Sequence, residues 1–149
     1  MFEGEVAPGV HRVGDAYTNW YLIEDEGRLT IVDAGVPTSW GSFKKALNAL
    51  GRSPADVAAL VLTHAHFDHV GFAERARREL GVPVWVHEDD VPLTRHPMGY
   101  QHERSRLPYM VKPGSMPIMA SMLRNRAFFA PPVAAVHRYS GGTLDVPGS

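Results

Sequence analysis

The stretch Thr63-His64-Ala65-His66-Phe67-Asp68-His69 constrains this chain more than any other. It follows directly on an aliphatic run, Val57-Ala58-Ala59-Leu60-Val61-Leu62, which is short, bounded by loop-forming residues and reads as a buried strand. In extended chain, side chains two residues apart share a side, so His64 and His66 aim two imidazoles at one point. Asp68 and His69 follow where the strand gives way to a helix, and they add a carboxylate and a third imidazole. Neutral imidazole and carboxylate are the usual protein ligands for zinc and similar divalent metals. A lone histidine is usually structural or merely exposed; three with an aspartate at this spacing point to a metal.

The rest of the chain supplies a frame for that stretch. Val10–Val13, Asn19–Glu24 and Arg28–Asp33 read as strands, and the second and third form a hairpin about Asp25-Glu26-Gly27. Asp33-Ala34-Gly35 ends the third. A helix capped by Thr38 or Ser39 runs to about Leu50, with Phe43, Ala46, Leu47 and Leu50 at helical spacing and Gly51 closing it. A second helix is predicted over Phe72–Leu80, then a strand over Val82–His87. Strand, helix, strand, helix, strand implies parallel pairing with crossover helices, so the fold class is α/β (α+β): a mixed sheet with outer helices. Glu88 to Leu93 reads as a short helix with its acids at the favourable N-terminal end.

From residue 91 the composition changes. Seven of the 12 prolines and five of the six methionines fall between 92 and 132. Proline at that density interrupts regular elements except at a helix start, and Ser115 with Pro117 marks one such start. Met116, Met119, Leu123 and Ala127 then form a helical stripe. Residues 91–132 read as an insertion near the site, whose Met and aromatic content makes a small satellite core. Its basic residues, among them Arg104 and Arg106, are available to draw an anionic substrate. Val133–Tyr139 reads as a strand, and Thr143–Val146 as a short return strand after Gly141-Gly142.

His64-x-His66-x-Asp68-His69 after a strand, with Thr63 before it and Val70-Gly71 after it, resembles the signature of the metallo-β-lactamase-fold hydrolases. The resemblance implies the N-terminal half of an αβ/βα sandwich. Carried over by position, His64 and His66 hold one metal, and Asp68 and His69 a second; zinc is the expected ion, two in the complete family site, with iron or manganese as alternatives. Asp68 is then also the candidate catalytic residue, and Asp33 and Thr63 support the metal loop from behind. The implied nucleophile is a hydroxide held by the metals. The Asp-His ending is similar to the glyoxalase II, lactonase and general hydrolase branches, so an ester, thioester or lactone is the expected substrate. The family's downstream ligands, a histidine in a Pro-Gly-His turn, a bridging aspartate and a final histidine, have no counterpart here. His137 stands nearest the required distance but lacks the glycine turn. The chain, a single domain over 1–149, is therefore expected to be half of the family's fold.

Length and composition bound the alternatives. The 149 residues suffice for one domain with a core. With no cysteine, disulfides and thiolate sites are excluded, in keeping with a cytoplasmic location. The N-terminus reads as lacking a secretory leader, and no apolar run is long enough to span a membrane, so a small-molecule substrate and no membrane partner are expected. Acids outnumber bases over 1–90 and the reverse holds over 91–138. That basic segment is the sole support for a nucleic-acid processing role, which is disfavoured. A non-catalytic binding module with a partial metal site is the reading from a different class. Half a sandwich would also expose an apolar sheet face, to be covered by self-association or by a complementary C-terminal half.

Overall fold

The structure is a computed structural model that describes residues 1–99 and 112–148. Seven strands form one sheet in consecutive order. The first four, β1 (Phe2–Ala7), β2 (Val10–Asp15), β3 (Thr18–Asp25) and β4 (Arg28–Val32), are antiparallel neighbours. Their connections are too short for anything but hairpins. At the β3–β4 turn Glu26 and Gly27 both take positive φ, 46° and 78°, which matches the twist of the flanking strands. Parallel pairing then begins: β4 passes through helix α1 (Ser39–Ala49) to β5 (Val57–Val61), and β5 through α2 (Ala73–Leu80) to β6 (Val84–His87). Beyond β6 come α3 (Val91–Arg95), α4 (Met116–Arg124) and β7 (His137–Tyr139), which pairs parallel with β6. The mixed sheet and its helices agree with the sequence expectation.

Strand parity decides which residues meet the helices. Val13, Trp20, Leu22, Ile31, Leu60, Val84 and Val86 are buried in the core with Phe43, Ala46 and Leu47 of α1 and Ala73 and Ala76 of α2. Trp20, Trp40, Phe43 and Phe72 form its centre, with Trp20 edge-on to Phe72 at 5.3 Å. Each such ring removes a large apolar area from water, and aromatic pairs in this geometry add roughly 0.5–1.5 kcal/mol beyond burial.

The opposite face carries Ile23, Thr30, Val32 and Val61. Residues 142–148 fold back across it: Thr30 Oγ1 donates to the Pro147 carbonyl at 2.8 Å, and the Gly148 amide to Asp25 at 3.1 Å. A shallow cavity of about 340 Å³ remains between strands and tail.

Four expectations are corrected. Strand β1 was not anticipated, because its alternation is broken by Gly4 and its pairing with β2 has two register shifts, as edge strands often do. The strand expected over 133–139 is reduced to His137–Tyr139, and Thr143–Val146 forms no strand, its backbone lying across the sheet face rather than beside an edge. In α4 the buried side chain is Met122, while Met116 and Leu123 are exposed. This helix docks at the rim by one knob, with Met122 and Ala127 against Val36, and Phe67 and Phe128 beside them. That is the small satellite core expected of the segment. His102, Arg104, Arg106 and Met110 lie outside the described residues. Among the described residues no helix is long and apolar enough to cross a membrane.

Two glycines give opposite predictions. A Cβ on Gly71 would overlap the backbone of Val36 and the Gly35 carbonyl, whereas one on Gly41, in the first turn of α1, meets nothing. Gly71→Ala should therefore lower stability by at least about 1–3 kcal/mol, and Gly41→Ala should raise it by up to about 1 kcal/mol, both read by urea unfolding.

Candidate metal centre

Strand β5 lies between β4 and β6, and the loop that carries the histidines leaves its C-terminal end. Two loops meet there. Ala34 N donates to the His69 carbonyl at 2.7 Å, Gly71 N to the Gly35 carbonyl at 2.8 Å, and Phe72 N to the Ala34 carbonyl at 3.1 Å. These bonds fasten the end of β4 to the far side of the histidine loop. They need the close backbone approach that only glycine at 71 permits.

Asp33, 4% exposed, is the hub. Its Oδ1 accepts from the Thr63 amide at 2.8 Å, and its Oδ2 accepts from the Thr63 hydroxyl at 2.7 Å and from His69 Nδ1 at 2.9 Å. The Thr63 hydroxyl, having given its proton to Asp33, can accept from His64 Nδ1, 3.0 Å away. The two bonds orient both rings, Nδ1 inward and Nε2 outward, the arrangement in which a histidine ligand is held by a partner behind it.

The sequence-predicted residues are brought together. The His64 ring lies 4.6 Å from that of His66 and 3.9 Å from that of His69, and Asp68 Oδ2 lies 3.8 Å from His69 Nε2. Asp33 and Thr63 stand behind them. The imidazoles rest against one another, and among the described residues no three histidine or carboxylate groups are arranged about a common centre so as to hold an ion as they stand. The donor chemistry nonetheless fits a divalent cation: three imidazoles, two with Nε2 presented outward, and a carboxylate beside one of them.

His137 is not part of this cluster. It pairs in register with Trp85, two residues before the end of β6, and its ring lies tilted against that of Trp85 at 4.9 Å. Sequence reasoning missed two neighbours that do reach the loop. Asp90 Oδ2 accepts from the Ala65 amide at 3.0 Å, and the Tyr139 hydroxyl donates to the Leu62 carbonyl at 3.1 Å. In the sequence Asp90 is one of three consecutive acids after His87, a pattern that suits a helix start first and a metal site second. No local signal distinguishes it from Glu88 and Asp89.

Burial and the neighbouring His69 and His66 push the His64 imidazolium down, against the pull of Asp33 and Asp68. Burial also opposes charge on His69, but the hydrogen bond and charge of Asp33, with Asp68, outweigh it and leave His69 raised. Burial, then Asp33 and Asp90, raise the Tyr139 phenol.

The family model of the metallo-beta-lactamase superfamily matches residues 13–145, and the chain belongs to that superfamily. The probable metallo-hydrolase YflN of Bacillus subtilis is 32% identical over 91 residues, 59% of this chain and 34% of that protein. The hydroxyacylglutathione hydrolase GloC of Haemophilus influenzae is 27% identical over 57% of this chain and 38% of its own length. Among solved structures, the class B3 di-zinc metallo-beta-lactamase LRA-12 from an Alaskan soil metagenome superposes with a TM-score of 0.56 at 27% identity, over 61% of this chain and 34% of its own. The matches thus span little more than a third of these relatives, and the fold corresponds to part of theirs.

The histidine shifts predict a pH signature in metal-free protein. With its pKa raised above 6.5, His69 contributes stability that is fully present below that value and is lost as pH rises through the folded pKa. His64, lowered, acts oppositely: the cost of charging it is felt below its folded pKa and vanishes above 6.5. Asp33→Asn should cost about 1–3 kcal/mol through unpaired donors and should abolish the His69 component. Urea unfolding on both sides of neutrality, with NMR titration placing His69 above His64, checks this.

Proposed function

We propose that this chain carries the metal-binding portion of a hydrolase that cleaves an ester, thioester or lactone. The observation that carries this reading is the Asp33 bridge, which turns His69 by its Nδ1, and His64 through Thr63, so that both Nε2 atoms face out beside His66 and Asp68. His64, His66, Asp68 and His69 would hold the ion, and zinc is supported by the di-zinc relative. Such an ion supplies acidity to a coordinated water and positive charge to polarise a carbonyl.

The chain's own residues do the rest. Asp33 and Thr63 hold the neutral rings in one tautomer, with the proton on Nδ1, so that Nε2 is the nitrogen offered for ligation. Asp68, whose Oδ2 lies beside His69 Nε2, is the carboxylate placed to hold a proton from an attacking water. Phe67, packed on Phe128 at 5.2 Å, joins the loop to the segment around α4, which makes that segment a wall beside the site. The likeness to a hydroxyacylglutathione hydrolase supports an acyl–sulfur substrate. A binding module without turnover is the second reading, favoured by the imidazoles resting on one another rather than closing a donor set.

The test is zinc content after dialysis against metal-free buffer, followed by thioester and lactone assays. Retention of about one or two zinc ions per chain, lost in His66→Ala, with hydrolysis dependent on the metal, is the expected outcome. Metal without turnover favours the binding module. A chain that retains no zinc overturns the reading.

A further inference from the structure

We infer that Asp90 is a positioning residue of the histidine loop: its carboxylate, anchored on the Ala65 amide, sets the spread of His64 and His66. The inference rests on the reading that this loop holds a metal.

The argument begins with backbone bonds. Strand β5 ends at Val61, and past that point the loop loses the ladder that satisfied its amides on both sides. Leu62 N still reaches the Trp85 carbonyl of β6 at 2.8 Å. Beyond it, side chains take over. Thr63 N goes to Asp33, at the end of β4, and Ala65 N goes to Asp90, in the turn after β6. Since β4 and β6 flank β5, the two carboxylates continue the sheet's hydrogen bonding from both sides. They grip alternate amides, 63 and 65, with His64 between them and His66 just beyond. Tyr139, from β7, adds a third grip on the Leu62 carbonyl.

Among the described residues the side chain of Asp90 makes one hydrogen bond, that with the Ala65 amide. Asp90 precedes α3 at the capping position, yet its side chain makes no cap bond. Its neighbours Glu88 and Asp89 are exposed, and Asp89 pairs with His87 at 3.5 Å. Of three consecutive acids, Asp90 is the one that reaches the loop. The Ala65 side chain is fully buried and its amide is bound to Asp90, so the residue between the two imidazoles is held both by packing and by a hydrogen bond.

The experiment compares the full chain with Asp90→Ala, Asp90→Asn and Asp89→Ala, reading hydrogen exchange of the Ala65 amide without metal and zinc affinity by competition with a chromogenic chelator. Asp90→Ala should speed exchange at Ala65 and weaken zinc by about 10–100-fold. Asp90→Asn keeps an acceptor for the amide and should restore both readouts to within about 3-fold, the expectation for an anchor rather than a charge. Asp89→Ala should change neither. If Asp90→Ala fails to fold, Asp90→Glu, which retains the charge but displaces the acceptor, carries the test and should weaken zinc. Wild-type affinity in Asp90→Ala or, if that variant does not fold, in Asp90→Glu, or equal losses in the alanine and asparagine variants, overturns the inference and leaves the metal reading standing. Failure of the wild-type chain to bind zinc overturns both.

Discussion

A single buried carboxylate, that of Asp33, ties the end of one strand to the start of the loop beside it. Burying a carboxylate is costly unless its oxygens are occupied, and here three donors from Thr63 and His69 occupy them. Asp33 also holds a left-handed backbone, φ 64°, where aspartate is tolerated better than most residues. Such a conformation costs on the order of 1 kcal/mol and persists only where the surroundings over-determine it. They do: Asp33 N donates to the Val61 carbonyl at 2.8 Å, and the next amide is bound to His69. The backbone bend that ends β4 thus aims the carboxylate at the loop leaving β5.

The sheet explains why the loop sits where it does. Parallel strands place their C-terminal ends at one edge, so β4, β5, β6 and β7 deliver Asp33, Thr63, Asp90 and Tyr139 to a common rim. Strands β1 to β3 contribute no residue to this network among the described residues; they widen the sheet and supply Val13, Trp20 and Leu22 to the packed face. Core and site are therefore separable. The aromatic cluster under α1 and α2 fixes the strands, and side-chain hydrogen bonds at the rim fix the loop.

Legibility in the sequence follows the same division. Periodic elements with apolar faces were readable: β2 to β5, α1 and α2 all stand within a few residues of their expected places. The histidine loop was readable because four donor residues at fixed spacing are rare by chance, and Asp33 was readable through the family pattern. Features that depend on long-range pairing were not. Nothing local in Phe2–Ala7 announces an edge strand, and nothing in Glu88-Asp89-Asp90 tells which acid faces the loop, because that choice is made by where β6 ends relative to β5. The tail over residues 142–148 was misread for the related reason that β-favouring residues serve equally well in a strand and in a segment laid across a sheet.

Charge at the rim gives the arrangement its direction. Asp33, Asp68 and Asp90 converge on a loop whose histidines are partly buried, and burial opposes protonating them. Three carboxylates beside neutral imidazoles leave an excess of negative charge that water at a half-covered rim screens only in part. In the absence of a metal the best available compensation is a proton on His69, the ring that touches Asp33 and lies nearest Asp68, and its raised pKa expresses that preference. A dication held by His69 would use the lone pair that this proton occupies, so metal affinity and His69 protonation would compete for one nitrogen. Asp33 and Asp68, the carboxylates that raise the histidine, are then also the groups whose charge would favour a cation at this rim, whereas Asp90 acts on the loop through its bond to the Ala65 amide.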